Sequence, residues 1–470
     1  MRKRQRIYCN FIEVIVLILN RGDTMKKMVI PYNVRHLMNQ ITLNYKSPEK
    51  KAEVFVVGGC VRDSLLGKKS KDYDLTTNLT PNEIKEIFSG PDYQIINNNG
   101  EKHGTVTVRY NEENYEITTY RVDGDYTDHR RPDSVSFTSR LEDDLARRDF
   151  TINALAANEK GEIIDYFNGI QDLENKIVRA VGNPRDRFEE DALRILRMVR
   201  FASELDFNID LPTLMAAEDL KNYLILVAKE RKTAELNRIV CGKGFVNLIV
   251  NILVYNILSQ VLPFDDSTYK HSINKLLTIF QNYHIHDRDY ILSYAILFGK
   301  LSARRLLFDF LVLSNEDKDK ISDICITVQE KLKCLTDEGT VLNYGSYQDA
   351  VIYLIQKSLK DLKHNDNKDY CRYIILNSIL LATVLGYIDM YKLPIFRNCL
   401  DEILAEGCYS LKQLAVNGND LIALGLEPGP AIKNLLEECL NEVIKGNLEN
   451  KKEILLQYAK KKLLIDWKSS

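Results

Sequence analysis

Residues 54–78 read VFVVGGCVRDSLLGKKSKDYDLTTN, and two features of this stretch could do chemistry together. Gly58-Gly59 separates an apolar, strand-like run from a helical one that opens with Val61, Arg62 and Asp63. Paired glycines at such a turn let backbone amides approach an anion closely, and a helix N-terminus adds a favourable dipole, a combination suited to a triphosphate. Asp72 and Asp74 lie two apart on the next strand-like run, so both carboxylates point to one face while Tyr73 and Leu75 face the core. Two carboxylates beside a phosphate cradle are what a pair of Mg²⁺ ions requires for in-line displacement at phosphorus. Glu116, in NYEITTYR, can add a third acid from a strand pairing alongside. Each feature alone has a plainer explanation: a steric need for Gly-Gly, and a solvated strand edge for the aspartates. The chemical reading rests on their conjunction.

These residues need a small sheet to hold them. Short β-rich runs at Val54–Cys60, Tyr73–Thr76, Thr105–Tyr110 and Asn114–Tyr120 are separated by turn residues, including 97–100. Helices are predicted at Val61–Leu66, Pro81–Phe88 (Thr80 as N-cap, Pro81 at N1) and Leu141–Ala157. Beyond Gln171 the strand signal fades, and apolar residues recur at three and four spacings almost to the C-terminus. Ala192–Leu205, Lys232–Cys241, Tyr269–Tyr283, Asp289–Leu301, Asp349–Asp361 and Pro430–Lys445 all read as amphipathic helices. The fold expected is α+β, a small sheet-bearing head followed by an all-α remainder.

At 470 residues the chain is long enough for about three domains. Its 45% hydrophobic content excludes disordered and low-complexity classes. With 64 Lys and Arg against 66 Asp and Glu, the net charge is −2, so a polyanion must be held by local basic clusters. Nine scattered cysteines include no CxxC pair, which disfavours a zinc knuckle or disulfide framework and suits buried thiols in a reducing cytoplasm. The basic-then-apolar start, Met1–Asn20, imitates a secretory signal, but Glu13 interrupts it and it is too short to span a bilayer. Met25 opens a second start, and residues 1–24 are expected to be a disordered or mis-started leader.

The ordered blocks from about residue 28 onward resemble the bacterial class II tRNA nucleotidyltransferases, the CCA-adding enzymes, together with the related bacterial poly(A) polymerases. All belong to the polymerase-β-like nucleotidyltransferases. The resemblance implies that Gly58, Gly59 and Arg62 grip the triphosphate, that Asp72 and Asp74 hold the metals and that Glu116 is the third acid. HGT at His103–Thr105 looks like a second phosphate-side loop, and 121–137, with DHRRPDSVSF, like the mobile loop tied to the change from C to A addition. In ARRDFTINALA, Arg147, Arg148, Asp149 and Asn153 match the ribose-recognition motif; an Asp or Asn facing a 2′-hydroxyl selects ribonucleotides.

Asp191 and Arg194 lie three apart in a helical stretch and so share a face. A carboxylate beside a guanidinium can pair with the Watson–Crick edge of C or A without a nucleic-acid template. In the family this EDxxR element, here Glu190, Asp191 and Arg194, is the protein template; an ordinary salt bridge is the plainer alternative. Arg197 and Arg200 continue the stripe and are expected to face phosphates, and KERKTAELNRIV, with Glu230, Arg231 and Glu235, resembles the family's fifth motif, which implies that it braces the template helix.

Some relatives carry an HD-type phosphohydrolase module. Here Phe298 and Gly299 stand where His-Asp is needed despite His271 nearby, and His286-Asp287 lacks suitably spaced partners, so no hydrolase activity is expected. Near the end, Asn419-Asp420 would cap one helix, Gly425 end it and Pro428-Gly429-Pro430 launch the next. This helix-turn-helix resembles the family's tRNA-contacting tail, with charge from Lys433, Lys445, Lys451 and Lys452. The implied layout is a catalytic head at 25–157, a nucleobase-recognition neck at 158–262, a degenerate HD-like body at 263–395 and a tRNA-binding tail at 396–470. The implied activity is CCA addition to tRNA from CTP and ATP, with no membrane or protein partner. Poly(A) synthesis, CC-only or A-only addition, and a non-catalytic RNA-binding role stay open at this stage.

Overall fold

The computed structural model describes residues 27–70, 72–96, 100–124, 134–263, 289–298, 307–333, 346–362 and 364–469. The leader 1–24, residues 97–99, most of DHRRPDSVSF, the predicted helix 269–283, His271, His286-Asp287 and Gly299 lie outside them. The chain divides into two compact units, one ending at Leu262 and one beginning at Pro263.

The first unit is built on a seven-stranded sheet in the order β3-β4-β5-β2-β1-β8-β9. Its strands are β1 Val54–Val57, β2 Asp74–Thr77, β3 Gln94–Ile96, β4 Thr105–Tyr110, β5 Glu113–Thr119, β8 Leu155–Ala157 and β9 Ile163–Asp165; β6 Arg121–Asp123 and β7 Val135–Phe137 pair apart from it. Only β2 and β5 run parallel, so the sheet is mixed. Val106, Ile117, Leu75 and Val56 stand side by side across four strands and all are buried. Because side chains alternate along a strand, this fully apolar row obliges the next row, which includes Asp74 and Glu116, to face the other way. The helix Tyr32–Asn44 contacts β1 and buries Val34, Leu37, Met38 and Ile41, the spacing of an amphipathic helix seated on a sheet.

Two predicted elements are corrected here. The strand expected to run to Cys60 stops at Val57, because Gly58 turns the chain and Gly59 starts the helix Gly59–Leu65. The helix expected over 141–157 ends at Ala146; Thr151–Asn153 is a single 3₁₀ turn and Leu155–Ala157 is β8. Leu155, Ala156 and Ala157 are good helix formers by composition, yet pairing with β1 and β9 on both sides buries all three, and tertiary context overrides propensity. A short parallel pair, Ile177–Val178 with Asn208–Ile209, also lies beyond the point where the strand signal faded.

After the sheet come Pro184–Glu190, Leu193–Leu205, Leu211–Asp219, Lys229–Cys241, Phe245–Ile249 and Ile252–Leu258. A third correction concerns Asp191, which is not helical. Its backbone is extended (φ −144°, ψ 104°), it closes helix 184–190, and its Oδ1 accepts the Leu193 N–H at 3.0 Å at the start of the next helix.

Among the described residues of the second unit the regular secondary structure is helical, and Phe298 there is a buried core side chain. In its tail the cap is Asn417 rather than Asn419-Asp420. Asn417 Oδ1 accepts from the Asn419 and Asp420 amides, and Asp420 returns a carboxylate oxygen to the Asn417 N–H. Gly425, at φ 99°, follows the end of that helix, and Gly429-Pro430 starts the helix Pro430–Ile444.

Candidate active site

Of the two glycines only Gly58 has a backbone requirement. It adopts φ +82°, and a Cβ there would lie 2.9 Å from Arg148 Nη1; a Cβ on Gly59 would meet nothing nearer than the Arg62 side chain at 3.5 Å. The Gly58 amide donates to the Leu155 carbonyl at 3.1 Å, so β8 fixes the bend. Arg62, one turn into the helix, sends Nη1 to Asn153 Oδ1 at 2.7 Å and pairs with Asp63 at 2.8 Å.

Asp72 precedes β2 and Asp74 opens it; both are exposed, while Tyr73 is half-buried and Leu75 fully buried. The β2–β5 register pairs Leu75 with Ile117, and one residue back in both strands brings Asp74 beside Glu116. Asp74 has an exposed edge but stands over packed protein, and this partial desolvation raises its pKa; repulsion from Glu116 and Asp72 adds to the effect, while Arg148 opposes it. The acids form an open row rather than a cage: among the described residues no three His, Cys, Asp or Glu side chains enclose a cation site.

Further along β2, on the face that Asp74 shares with Thr76, lies a residue that sequence reading missed. Asp144 is fully buried; it pairs with Arg147 at 2.7 Å and Arg148 at 3.5 Å, and accepts from the Thr76 hydroxyl at 3.2 Å, tying both arginines to β2. Burial alone would raise its pKa, but the two guanidinium groups hold it below the usual carboxylate range. The signal available was its three- and four-residue spacing to the arginines.

Asp149 and Asn153 are both buried. Asp149 Oδ1 accepts from the Phe150 N–H at 2.9 Å and Asn153 Nδ2 at 3.0 Å, and its Oδ2 pairs with Arg197 at 2.5 Å. Asp191 and Arg194 do not pair with each other: Asp191 meets Arg231 at 2.8 Å, and Arg194 meets Glu190 at 2.5 Å while donating to the Arg147 carbonyl at 3.3 Å. The surface i,i+3 salt bridge is therefore absent, and the Arg194 bond ties helix 193–205 to the RRD segment. Arg200 is buried against Glu235 at 3.0 Å.

In the second unit the tail lysines are exposed but each has an acidic neighbour: Lys433 with Glu437 at 3.8 Å, Lys451 with Glu449 at 2.5 Å and Lys452 with Asp420 at 2.6 Å. Pairs of this kind contribute little and leave the ammonium groups available to a stronger anion.

Residues 54–179 match the family described as the Poly A polymerase head domain, and 380–459 match tRNA nucleotidyltransferase domain 2. The CCA-adding enzyme of Ligilactobacillus salivarius is 36% identical over 421 residues, spanning 87% of this chain and 93% of that protein. That of Enterococcus faecalis is 33% identical over 417 residues, spanning 87% and 92%. Among solved structures, the Bacillus stearothermophilus CCA-adding enzyme in complex with CTP aligns with a TM-score of 0.69 at 26% identity, covering 93% of this chain and 98% of that one. The Thermotoga maritima CCA-adding enzyme complexed with tRNA shares the fold at a TM-score of 0.64 and 21% identity, covering 93% and 97%. No helix among the described residues is long and apolar enough to cross a membrane. Identity at this level over nearly the full length of such relatives makes this chain a member of the CCA-adding enzymes, a family of tRNA nucleotidyltransferases.

Proposed function

We propose that this chain adds or repairs the 3′-terminal CCA of tRNA from CTP and ATP without a nucleic-acid template. The observation that carries the reading is the open row of Asp72, Asp74 and Glu116 beside the Gly58 bend, with Arg148 against that bend and paired with Asp144. Relatives solved with CTP, with ATP and with tRNA support the choice of substrates. A match to tRNA nucleotidyltransferase domain 2 in the tail favours tRNA over an arbitrary RNA end.

Nucleotidyltransferases of this family use divalent metal ions, and Mg²⁺ suits the donors present: hard carboxylate oxygens, mutually repelling, open to solvent, with room left for substrate phosphates. When bound it supplies Lewis-acid activation of the primer 3′-hydroxyl and neutralises charge on the leaving pyrophosphate. Asp72 and Asp74 are the ligands we assign, with Glu116 assisting. Arg62, Arg148 and the Gly58-Gly59 bend hold the triphosphate. Asn153, oriented by Asp149, meets the ribose. Asp191 and Arg194 choose the base, each exchanging its present partner, Arg231 or Glu190, for the nucleobase edge; Arg197, one turn past Arg194 and paired with Asp149, supports that base-choosing side of the nucleotide site. Lys433, Lys451 and Lys452 hold the tRNA backbone. The head at 25–157, neck at 158–262, body at 263–395 and tail at 396–470 divide these tasks. A cytoplasmic setting follows from the substrate and suits the free, mostly buried thiols of the described cysteines.

The test is incubation of the purified chain with tRNA lacking CCA and labelled CTP and ATP, sizing products to one nucleotide. Growth that stops at three nucleotides supports the reading. Arrest at CC, addition of A alone or unlimited A extension replaces it with a neighbouring activity, and no incorporation removes the enzyme assignment.

A further inference from the structure

Phe201, on helix 193–205, is buried with 5% of its surface exposed, yet its surroundings are not those of an ordinary core ring. Three guanidinium carbons stand near its centroid, Arg200 at 4.3 Å, Arg62 at 5.1 Å and Arg197 at 5.4 Å. Phe150 meets it edge-on at 5.7 Å. All three distances lie within the range at which a cation is attracted by an aromatic quadrupole, and the attraction grows when water is excluded.

The arginines come from different parts of the first unit and belong to different tasks. Arg62 lies on the helix after the diglycine bend, and Arg197 lies one turn past Arg194 on the neck helix. A closed chain of bonds joins them away from the ring: Arg62 to Asn153 at 2.7 Å, Asn153 to Asp149 at 3.0 Å, and Asp149 to Arg197 at 2.5 Å. Asp63, Asp149 and Glu235 offset the three positive charges, so the cluster is locally compensated. The ring therefore supports both ends of a circuit running from the triphosphate side to the base side. Any displacement of Arg62 by a bound phosphate would change the field and the space that Arg197 has on the same ring.

We propose that Phe201 is a positioning residue that couples the grip on the triphosphate to the choice of base, by holding Arg62 and Arg197 against one aromatic ring. The inference rests on the nucleotidyl-transfer reading above and concerns specificity rather than the transfer itself.

The test replaces Phe201 in the full-length chain with 4-fluoro-, 3,5-difluoro- and 3,4,5-trifluorophenylalanine, alongside Phe201→Leu. Fluorination weakens the quadrupole while nearly preserving ring shape, so a purely packing role is insensitive to it. The expected result is a stepwise fall in kcat/KM for CTP, reaching about tenfold at three fluorines. The preference for CTP over UTP should fall in parallel, with thermal midpoints close to wild type. A flat fluorinated series, even with a damaged or unfolded Phe201→Leu, overturns the proposal. A wild-type chain without turnover overturns the nucleotidyl-transfer reading instead. CTP binding titrated across the same series then decides this one: graded weakening upholds it, and uniform affinity overturns it.

Discussion

At the scale of single residues, the acidic row and the bend make separable demands. Asp72→Ala and Asp74→Ala should each lower nucleotide incorporation on the order of a thousandfold, because each removes a hard oxygen donor from a site built on charge. Binding of tRNA, measured by filter retention, should change little; turnover near wild type in either variant would remove that residue from the metal site. The two glycines should differ although they are neighbours in sequence. Gly58→Ala forces a side chain into a left-handed backbone and within 2.9 Å of Arg148, whereas Gly59→Ala enters ordinary contact. A raised KM for CTP and a lower melting temperature are expected for the first and near-normal values for the second. Equal effects would show that the bend is not what sets Arg148.

Elements act by holding such residues at fixed relative positions. The interruption at Asp191, between helices 184–190 and 193–205, aims Asp191 at Arg231 while Arg194 turns to Glu190. Arg194→Ala should therefore loosen selection of CTP and ATP over GTP and UTP by roughly one to two orders of magnitude, within the range one lost charge-assisted pairing accounts for. Unchanged selectivity in competition assays would refute a template role. Helix Pro81–Ile87 offers a stability test. Thr80 and Glu83 form a reciprocal capping box, with Tyr45 donating to Glu83 at 2.6 Å and Lys50 at 3.0 Å. Partial burial pushes the Glu83 pKa up, but these bonds outweigh it and bring the value from 4.5 down to about 2. A depressed folded-state value means the contribution is complete above about 4.5 and is lost as pH falls toward about 2. Glu83→Gln should reduce the loss of stability over that acid window in urea melts; an unaltered profile would place the acid sensitivity elsewhere.

For the molecule as a whole, near-zero net charge means that RNA affinity depends on where cations lie rather than how many there are. The combined change Lys433→Ala, Lys451→Ala and Lys452→Ala should weaken tRNA binding and reduce the magnitude of its log–log salt slope by about two to three, the contribution of three lost phosphate contacts. A slope identical to wild type would leave the tail as a packed helical hairpin.

How much of this was legible beforehand depended on whether the determining forces were local. The alternation that buries Leu75 and exposes Asp72 and Asp74, the Thr80 cap with Pro81 after it, and the Gly429-Pro430 start of the last hairpin are set by neighbours in the chain, and the sequence alone determined them. The division into a sheet-bearing head and a helical remainder followed from the change of hydrophobic period, whereas the parallel β2–β5 pairing that makes the sheet mixed did not. Pairing between distant segments decided the rest. Residues 155–157 became an interior strand because β1 and β9 offered hydrogen bonds and burial that no local propensity encodes. Asp191 left its helix to meet Arg231, forty positions away, and helical Asp144 disappeared beneath two arginines and a threonine of β2. Spacing lists the groups that can meet; only the closed fold, by trading desolvation against partners, selects which do.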